Sequence, residues 1–440
     1  MTHRLVTRIS VTILAVSAQL MNATQAGADK LPPYETPRFE ITMDDIDGTP
    51  NQLTDSLSVG AQIEIETTGE INFDLDREDA EDTLETAPSA KLKALYAPGP
   101  HLLAYGEAEV NRPLIHSDPD SSRPDPRLRI NEAFLGYRSA EGFSATIGRR
   151  EVSPDREWLF DTDFDGFDMV YRTDDFMITA AWWREEVIRK DLLGRHRDDR
   201  PDYLYLRGDV ALSEDSQIGG WLVGQNGRRR DRDTDLLHLG VTSLGELNSD
   251  IDYWAEGAFV IGEEDGRPVR GFGFDIGGLW ADRSITFRPH AAAGLAFGSG
   301  DDGDGTDTAF RQTGAQGNSQ RFGGVSSAKI YGELVDPELS NLFVTTLSIG
   351  VRPTDRTSIG LIYHEYFQHR AEDELRDTNI DEDPSGDKGH LGREVDLVVG
   401  IKEFENIDLE FVGAVFLPGG AFDDDNDSAW MFESKIEFKF

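Results

Sequence analysis

Residues 430–440 read WMFESKIEFKF. Trp430, Phe432, Ile436, Phe438 and Phe440 fall on one parity, and Glu433, Lys435, Glu437 and Lys439 fall on the other. Successive side chains of a strand point to opposite faces, so this is a strand with one greasy face and one wet face. A half-buried strand of a soluble sheet alternates in the same way. A strand that is aromatic on its apolar parity and closes on Phe fits a transmembrane barrel better, with the aromatic parity on lipid and the charged parity on a water-filled lumen.

The amino terminus points to the same compartment. His3, Arg4 and Arg8 precede an apolar run from Ile9 to Leu20, followed by small residues at Ala23, Ala26 and Ala28. That is the pattern of a secretory signal peptide, 1–26, with cleavage at 28 as the alternative. The run is too short to span a bilayer as a helix, and no later segment approaches the roughly 18 uninterrupted apolar residues a membrane helix needs. Barrel strands dilute their apolar residues with lumen-facing polar ones, so a chain only 38% hydrophobic can still be embedded in a membrane. Phe440 resembles the terminal signal by which the outer-membrane assembly machinery selects its substrates.

Connector lengths, counted backwards from Phe440, alternate. Those expected outside the cell are 418–427, 368–390, 298–340, 262–269, 225–233, 184–202, 150–165, 111–128 and 75–88. Those expected in the periplasm are 403–405, 352–356, 281–284, 244–249, 213–215, 173–175, 139–142 and 97–100. Long and polar connectors on one side and short ones on the other are what one-sided membrane insertion produces, and soluble sandwiches have no reason to segregate them. The expectation is an all-β, up-and-down antiparallel transmembrane barrel of about 18 strands over 57–440, preceded by a proline-rich periplasmic tail at 29–55.

The formal charge of -40, from 83 acidic against 43 basic residues, argues against nucleic-acid binding. Acidic excess is often only a solubilising surface. The chain has no cysteine, which excludes disulfides, thiolate metal sites and cysteine nucleophiles.

Two stretches go beyond architecture. Residues 147–166 read IGRREVSPDREWLFDTDFDG, and 310–342 contain FRQTGAQGN, RFGG, YGEL and PELSNL. Together with LIYHEY at 361–366, LGREVDLVVG at 391–400 and FLPGGAF at 416–422, they resemble the alginate-export family of outer-membrane channels. The resemblance implies a monomeric eighteen-stranded barrel that passes an anionic polysaccharide outward through an arginine-lined constriction. The matching arginines are Arg149, Arg150, Arg156, Arg311, Arg321 and Arg393. Guanidinium groups stay charged and engage carboxylates bidentately, while a line of weak contacts lets a polymer slide.

Strand parity gives a second set of pore-lining candidates: Arg138, Arg150, Arg172, Arg207 and Arg288, opposed by a majority of acids that includes Glu256, Asp275, Glu394 and Asp396. The arginines cluster on strands four to eight and many acids on strands eleven, twelve, sixteen and seventeen, so the expectation is a transverse field across the pore. The bland alternative is that these charges are solvated or paired with neighbours.

Asp301, Asp302 and Asp304 among glycines, and Asp423, Asp424 and Asp425, suit calcium as hard oxygen ligands on flexible extracellular loops, though neither loop has the EF-hand spacing. A solvated acidic loop, or divalent bridging to lipopolysaccharide phosphates, are the alternatives. No other cofactor is expected. No Gly-x-Ser-x-Gly elbow is present, and His238, His290 and His364 fall singly on inward positions. The carboxylates between Asp161 and Asp168 have no glycosidase scaffold behind them. Trp158 and Phe160 read as loop packing, or as an in-folded loop that narrows the pore, rather than as a sugar-stacking platform.

The expectation is therefore a passive channel in the outer membrane of a Gram-negative bacterium, in contact with lipid and lipopolysaccharide. It would carry an anionic polysaccharide such as alginate, or a small anionic solute, with a secretion partner in the periplasm. Two alternatives stand: a general diffusion porin with a mixed-charge lumen, and a plugged barrel that binds at the cell surface.

Overall fold

The computed structural model describes residues 51–76, 82–116, 125–154, 156–194, 200–213, 215–229, 232–303, 305–423 and 426–440. The signal peptide and most of the expected tail lie outside these residues. Among the described residues every regular element is a strand.

Eighteen strands form one closed antiparallel barrel. They are β1 (Leu57–Ile71), β2 (Thr83–Gly99), β3 (Leu102–Asn111), β4 (Arg127–Arg138), β5 (Phe143–Val152), β6 (Thr162–Arg172), β7 (Phe176–Arg184), β8 (Asp202–Ser213) and β9 (Ser216–Arg229). They continue with β10 (Arg232–Asn248), β11 (Ile251–Glu264), β12 (Arg267–Ala281), β13 (His290–Gly298), β14 (Leu342–Val351), β15 (Thr357–Gln368), β16 (His390–Phe404), β17 (Ile407–Pro418) and β18 (Ala429–Lys439). Each pairs with its successor, and β18 returns to β1 in a register running from Gln62↔Lys439 to Ile71↔Trp430. Closure leaves no open sheet edge, so strand peptide groups pair along the wall, as a hydrocarbon environment demands, while the outer end of β12 pairs instead with the connector that follows β13. Asn51–Thr54 folds back on the start of β1 as a short hairpin strand.

Alternation is what sorts the two faces. On β8, Tyr203, Tyr205, Arg207 and Asp209 point inward and are buried, while Leu204 and Val210 are 43% and 51% exposed on the outside. The terminal strand behaves likewise: Trp430 and Phe432 are exposed outside, and Phe432 covers Gly69 of β1.

The structure corrects three connectors. The expected long loops at 225–233 and 262–269 are tight, the first spanning only 230–231 between β9 and β10 and the second turning at Asp265 and Gly266 with φ of 51° and 77°. Strands of up to 17 residues exceed the roughly 9–11 that cross a bilayer, so their outer ends stand in water and lose the apolar alternation that marks a strand. The periplasmic connector after β12 is 282–289 rather than 281–284, which takes Arg288 off the barrel wall.

The lumen is filled on one side by connectors folded inward. Residues 153–161, between β5 and β6, place Phe160 edge-on against Phe164, Trp183, Tyr203 and Tyr205 at centroid distances of 5.5 to 5.7 Å. Trp158 stacks on Phe310 at 6.0 Å and meets Trp221 edge-on. Such pairs contribute about 0.5–1.5 kcal/mol each beyond area burial. The expectation of an in-folded packing loop is thus met. Residues 307–341 follow it inside, carrying a small hairpin of Ser319–Gln320 with Ala328–Lys329.

A charge on the lipid face is costly at mid-depth, by about 2–4 kcal/mol for Arg or Lys. Leu397, 45% exposed near the middle of β16, is such a position. Leu397→Arg is expected to lower the unfolding free energy of the refolded barrel, read by urea titration, by that amount, whereas Glu410→Arg on the lumen face of β17 shifts it by less than about 1 kcal/mol. Equal effects at the two positions would contradict the assignment of faces.

Candidate functional site

The inserted connectors are irregular, and their peptide groups find partners in one another, in β12 through Asp307, and in lumen side chains. Glu394 of β16, fully buried, accepts the Leu334 N–H at 2.7 Å, the Val335 N–H at 3.1 Å and the Tyr366 hydroxyl at 2.9 Å. Gly332, at φ 102°, makes the approach feasible, because a Cβ there would collide with the Tyr366 hydroxyl and the Glu394 carboxylate. Asp396 lies beneath, its Oδ2 3.3 Å from His364 Nε2. Gln312 donates to the Trp158 carbonyl and to Asn318 Oδ1, and its Oε1 accepts the Leu339 N–H and an Asn318 Nδ2 proton.

Arginines tie the insert to the wall. Arg156 donates to Glu256 of β11 at 2.8 Å, sits 2.8 Å from Asp275 of β12, and lies over the Trp254 ring at 4.6 Å. Tyr331 joins the same knot, accepting from Trp158 Nε1 and donating to Asp275 Oδ2. Arg311 reaches Glu264 and Asp307, and Arg376, from the 369–389 connector, reaches Glu264 and Glu338. Removing one partner of a buried pair costs about 3–5 kcal/mol because the other charge is stranded.

The sequence-derived candidates divide. Arg150 faces the lumen but is paired with Asp168 at 2.8 Å, and Arg207 is paired with Asp209 of its own strand. Arg172 has lumen parity at the periplasmic end of β6, and Arg138 stands exposed at the periplasmic end of β4. Arg288 is in the periplasmic connector, paired with Asp355. Two arginines are corrected outright as pore-lining groups. Arg149 shares the outward parity of Ile147 and pairs with Asp165 on the outer wall. Arg393 shares the outward parity of Leu397 and lies beside Glu365 and Tyr363 on the outer face.

For the transverse field the contacts favour the alternative of paired neighbours. Arg150, Arg156 and Arg207 are neutralised by acids within hydrogen-bond distance, and the opposing Glu256 and Asp275 are taken up by Arg156. Of the calcium candidates, Asp301 is engaged by Arg267 at 2.6 Å and by the Gly303 and Thr308 N–H groups. Asp302 and Asp423 are exposed, Asp304, Asp424 and Asp425 lie outside the described residues, and among the described residues no group of three carboxylates or histidines is placed to hold a metal ion. Arg376, Glu264 and Gln312 were not singled out from sequence. Arg376 and Glu264 are 112 positions apart, and only the fold brings them together.

At the periplasmic end the insert reaches a second, more open region. Arg321 of the insert, Arg352, Arg356, Lys402 and Lys439 line a cavity of about 540 Å³, with Asp355, Glu405 and Asp408 also on its wall and Lys439 paired with Asp408. Burial, and then the nearby charges of Arg288, Arg283 and Arg321, lower the pKa of Arg352.

Among solved structures the fold is similar to Pseudomonas aeruginosa OccD3 (OpdP), with a TM-score of 0.57 at 12% identity over 94% of this chain and 99% of that one. It is also similar to the outer membrane protein opdK from Pseudomonas aeruginosa, with a TM-score of 0.55 at 12% identity over 87% and 98%. A curated relative, the alginate production protein AlgE of Pseudomonas aeruginosa, is 27% identical over 241 residues, covering 46% of this chain and 48% of its own. The Azotobacter vinelandii protein of the same name is 32% identical over 139 residues, covering 30% of this chain and 28% of its own. The chain thus spans about half or less of the length of these relatives. The family model for alginate export matches residues 51–432, nearly the whole described barrel, and the chain belongs to that family of bacterial outer-membrane channels.

Proposed function

We propose that this channel passively admits an acidic polysaccharide, alginate or a related polyuronate, at its periplasmic mouth and releases it outside the cell. The arginine and lysine cluster around the periplasmic cavity carries this reading. In a chain of net charge -40, cations are gathered where a periplasmic polyanion would enter, and guanidinium groups suit carboxylates. Relatives bearing an alginate-production name support the substrate class. We read the process as transport without catalysis, since Asp168, the carboxylate that could have partnered Asp161, is committed to Arg150. A second reading, passage of small anions only, is favoured by the inserted connectors, which a polymer would have to displace.

Oligouronate added on the periplasmic side of a planar bilayer is expected to block single-channel current at lower concentration than from the outside. The double change Arg321→Glu and Arg352→Glu should raise the half-blocking concentration at least about tenfold, roughly 1.4 kcal/mol. Block that is symmetric and indifferent to these charges would contradict the proposed entry site. Loss of small-anion current in the variant, without oligouronate block of the wild type, would select the second reading.

The insert should act as a resistance. Glu394→Gln keeps a single acceptor oxygen for groups that now share two, leaving a buried N–H unpaired at a cost of about 1–3 kcal/mol. That change and Arg376→Ala are both expected to raise mean conductance and its fluctuation. Unaltered conductance in both would show that the insert does not limit flow.

The joint between the two inserted connectors titrates. The Glu157 carbonyl accepts the Gly317 and Asn318 N–H groups, and burial plus the charge of Asp161 pushes its own carboxyl up to about 7. Between the ordinary 4.5 and about 7 the closed joint holds a proton that the released one gives up, so closure weakens as pH rises through that window. Conductance should rise from about pH 5 to about pH 8, and Glu157→Gln should flatten the rise. A wild-type conductance constant over this range would overturn the assignment.

A further inference from the structure

Above the lipid-facing belt of β5 and β6 the barrel carries a buried ion pair on its outer wall. Asp165 accepts Arg149 Nε at 2.8 Å and Nη2 at 2.7 Å, and also the backbone N–H groups of Val187 and Ile188 at 2.7 and 2.8 Å. Arg149 completes its set on the carbonyls of Ile130 and Ile188. The segment 185–194, which follows β7, therefore lies over the outside of β4, β5 and β6. It is fastened further by Ile130 N–H to the Lys190 carbonyl, by Leu192 N–H to the Leu128 carbonyl, and by a Lys190–Asp163 ion pair.

The pair is almost wholly shielded, at 4% and 6% exposure, while Ile188, Leu192 and Leu193 of the covering segment are 69%, 48% and 58% exposed. Backbone thus meets the charges and apolar side chains face outward. Directly below, two residues or roughly 7 Å along β5 and β6, stand Ile147 and Phe167 of the lipid-facing belt. Phe167 pairs with outward-facing Trp182 at 6.1 Å, an aromatic contact of the kind that marks the membrane interface. Irregular backbone at this depth is tolerable only when its polar groups are satisfied by protein, and here several are.

We propose that segment 185–194 is a lipid anchor: it covers a charged patch of barrel wall and turns Val187, Ile188, Leu192 and Leu193 outward beside the belt, with its charged Glu185, Glu186, Arg189, Lys190 and Asp191 part-buried, and its occupant is the acyl region of the outer leaflet. The anchor is separate from the conducting lumen, so it stands or falls independently of the transported solute. The mechanical consequence is that β4 to β6, which hold Arg150, Asp168 and the start of the inserted 153–161 connector, are braced from the lipid side.

The chain has no cysteine, so one introduced at Ile188, or in a second variant at Leu193, can be labelled uniquely with an environment-sensitive fluorophore. The full barrel would be refolded into phosphatidylcholine vesicles with and without brominated acyl chains, with a Ser284→Cys label in the periplasmic connector as control. The expected result is quenching by brominated chains several-fold stronger than at the control, and iodide quenching several-fold weaker. Iodide access equal to the control with no lipid quenching, at both positions, would overturn the anchor. So would shielding from both quenchers combined with self-quenching that grows with protein density, since that would seat a second copy of the chain there.

Discussion

An irregular segment can stay inside a barrel only if its peptide groups find partners there, and the strands have already spent theirs on one another. The closed ring from β1 to β18 leaves few strand groups free, so the insert draws its partners from its own connectors, as where the Glu157 carbonyl accepts the Gly317 and Asn318 N–H groups, and from lumen side chains. Glu394 and Gln312 are two such side chains: one buried carboxylate holds the backbone at Leu334 and Val335, and one buried amide bridges Trp158, Asn318 and Leu339. Without them the insert would trade hydrogen bonds to water for none, at about 1–3 kcal/mol per stranded group. The narrow lumen, the aromatic nest around Phe160 and the position of Arg321 at the periplasmic mouth all follow from the insert being held in place.

This constraint also resolves an apparent conflict of charge. A lumen with more acids than bases seems a poor path for an anion, but the acids on β11, β12 and β16 are largely structural. Glu256 and Asp275 are neutralised by Arg156, Glu264 by Arg311 and Arg376, and Glu394 is occupied by N–H groups and a hydroxyl. Buried pairs of this kind contribute little net attraction, yet they are costly to break, which makes them better at fixing a conformation than at generating a field. At the periplasmic cavity five basic side chains stand with three acidic ones, Asp355, Glu405 and Asp408.

The alternation of residues 430–440 and the parity of connector lengths were enough to expose the architecture, because strand period and one-sided insertion are local and repetitive signals. What they missed is equally physical. Where strands rise beyond the bilayer both faces meet water, so the ends of β9 and β10 read as loop. Arg149 and Arg150 are adjacent and only one can face the lumen, a choice settled by register against Asp165 and Phe164. Arg393 shares the parity of Val395 and Leu397, so alternation alone places it outside, and only the motif around it suggested the pore. The clamps of the insert join residues such as Gln312 and Trp158, 154 positions apart, and have no local signature.

The account rests on the claim that the periplasmic arginine cluster, rather than the net charge of the chain, governs what enters. Reversal potential of the refolded wild-type protein in a planar bilayer under a salt gradient tests this most directly. The account predicts anion preference in spite of a net charge of -40. Cation preference would contradict it and would assign ion selection to the acidic residues of the lumen wall.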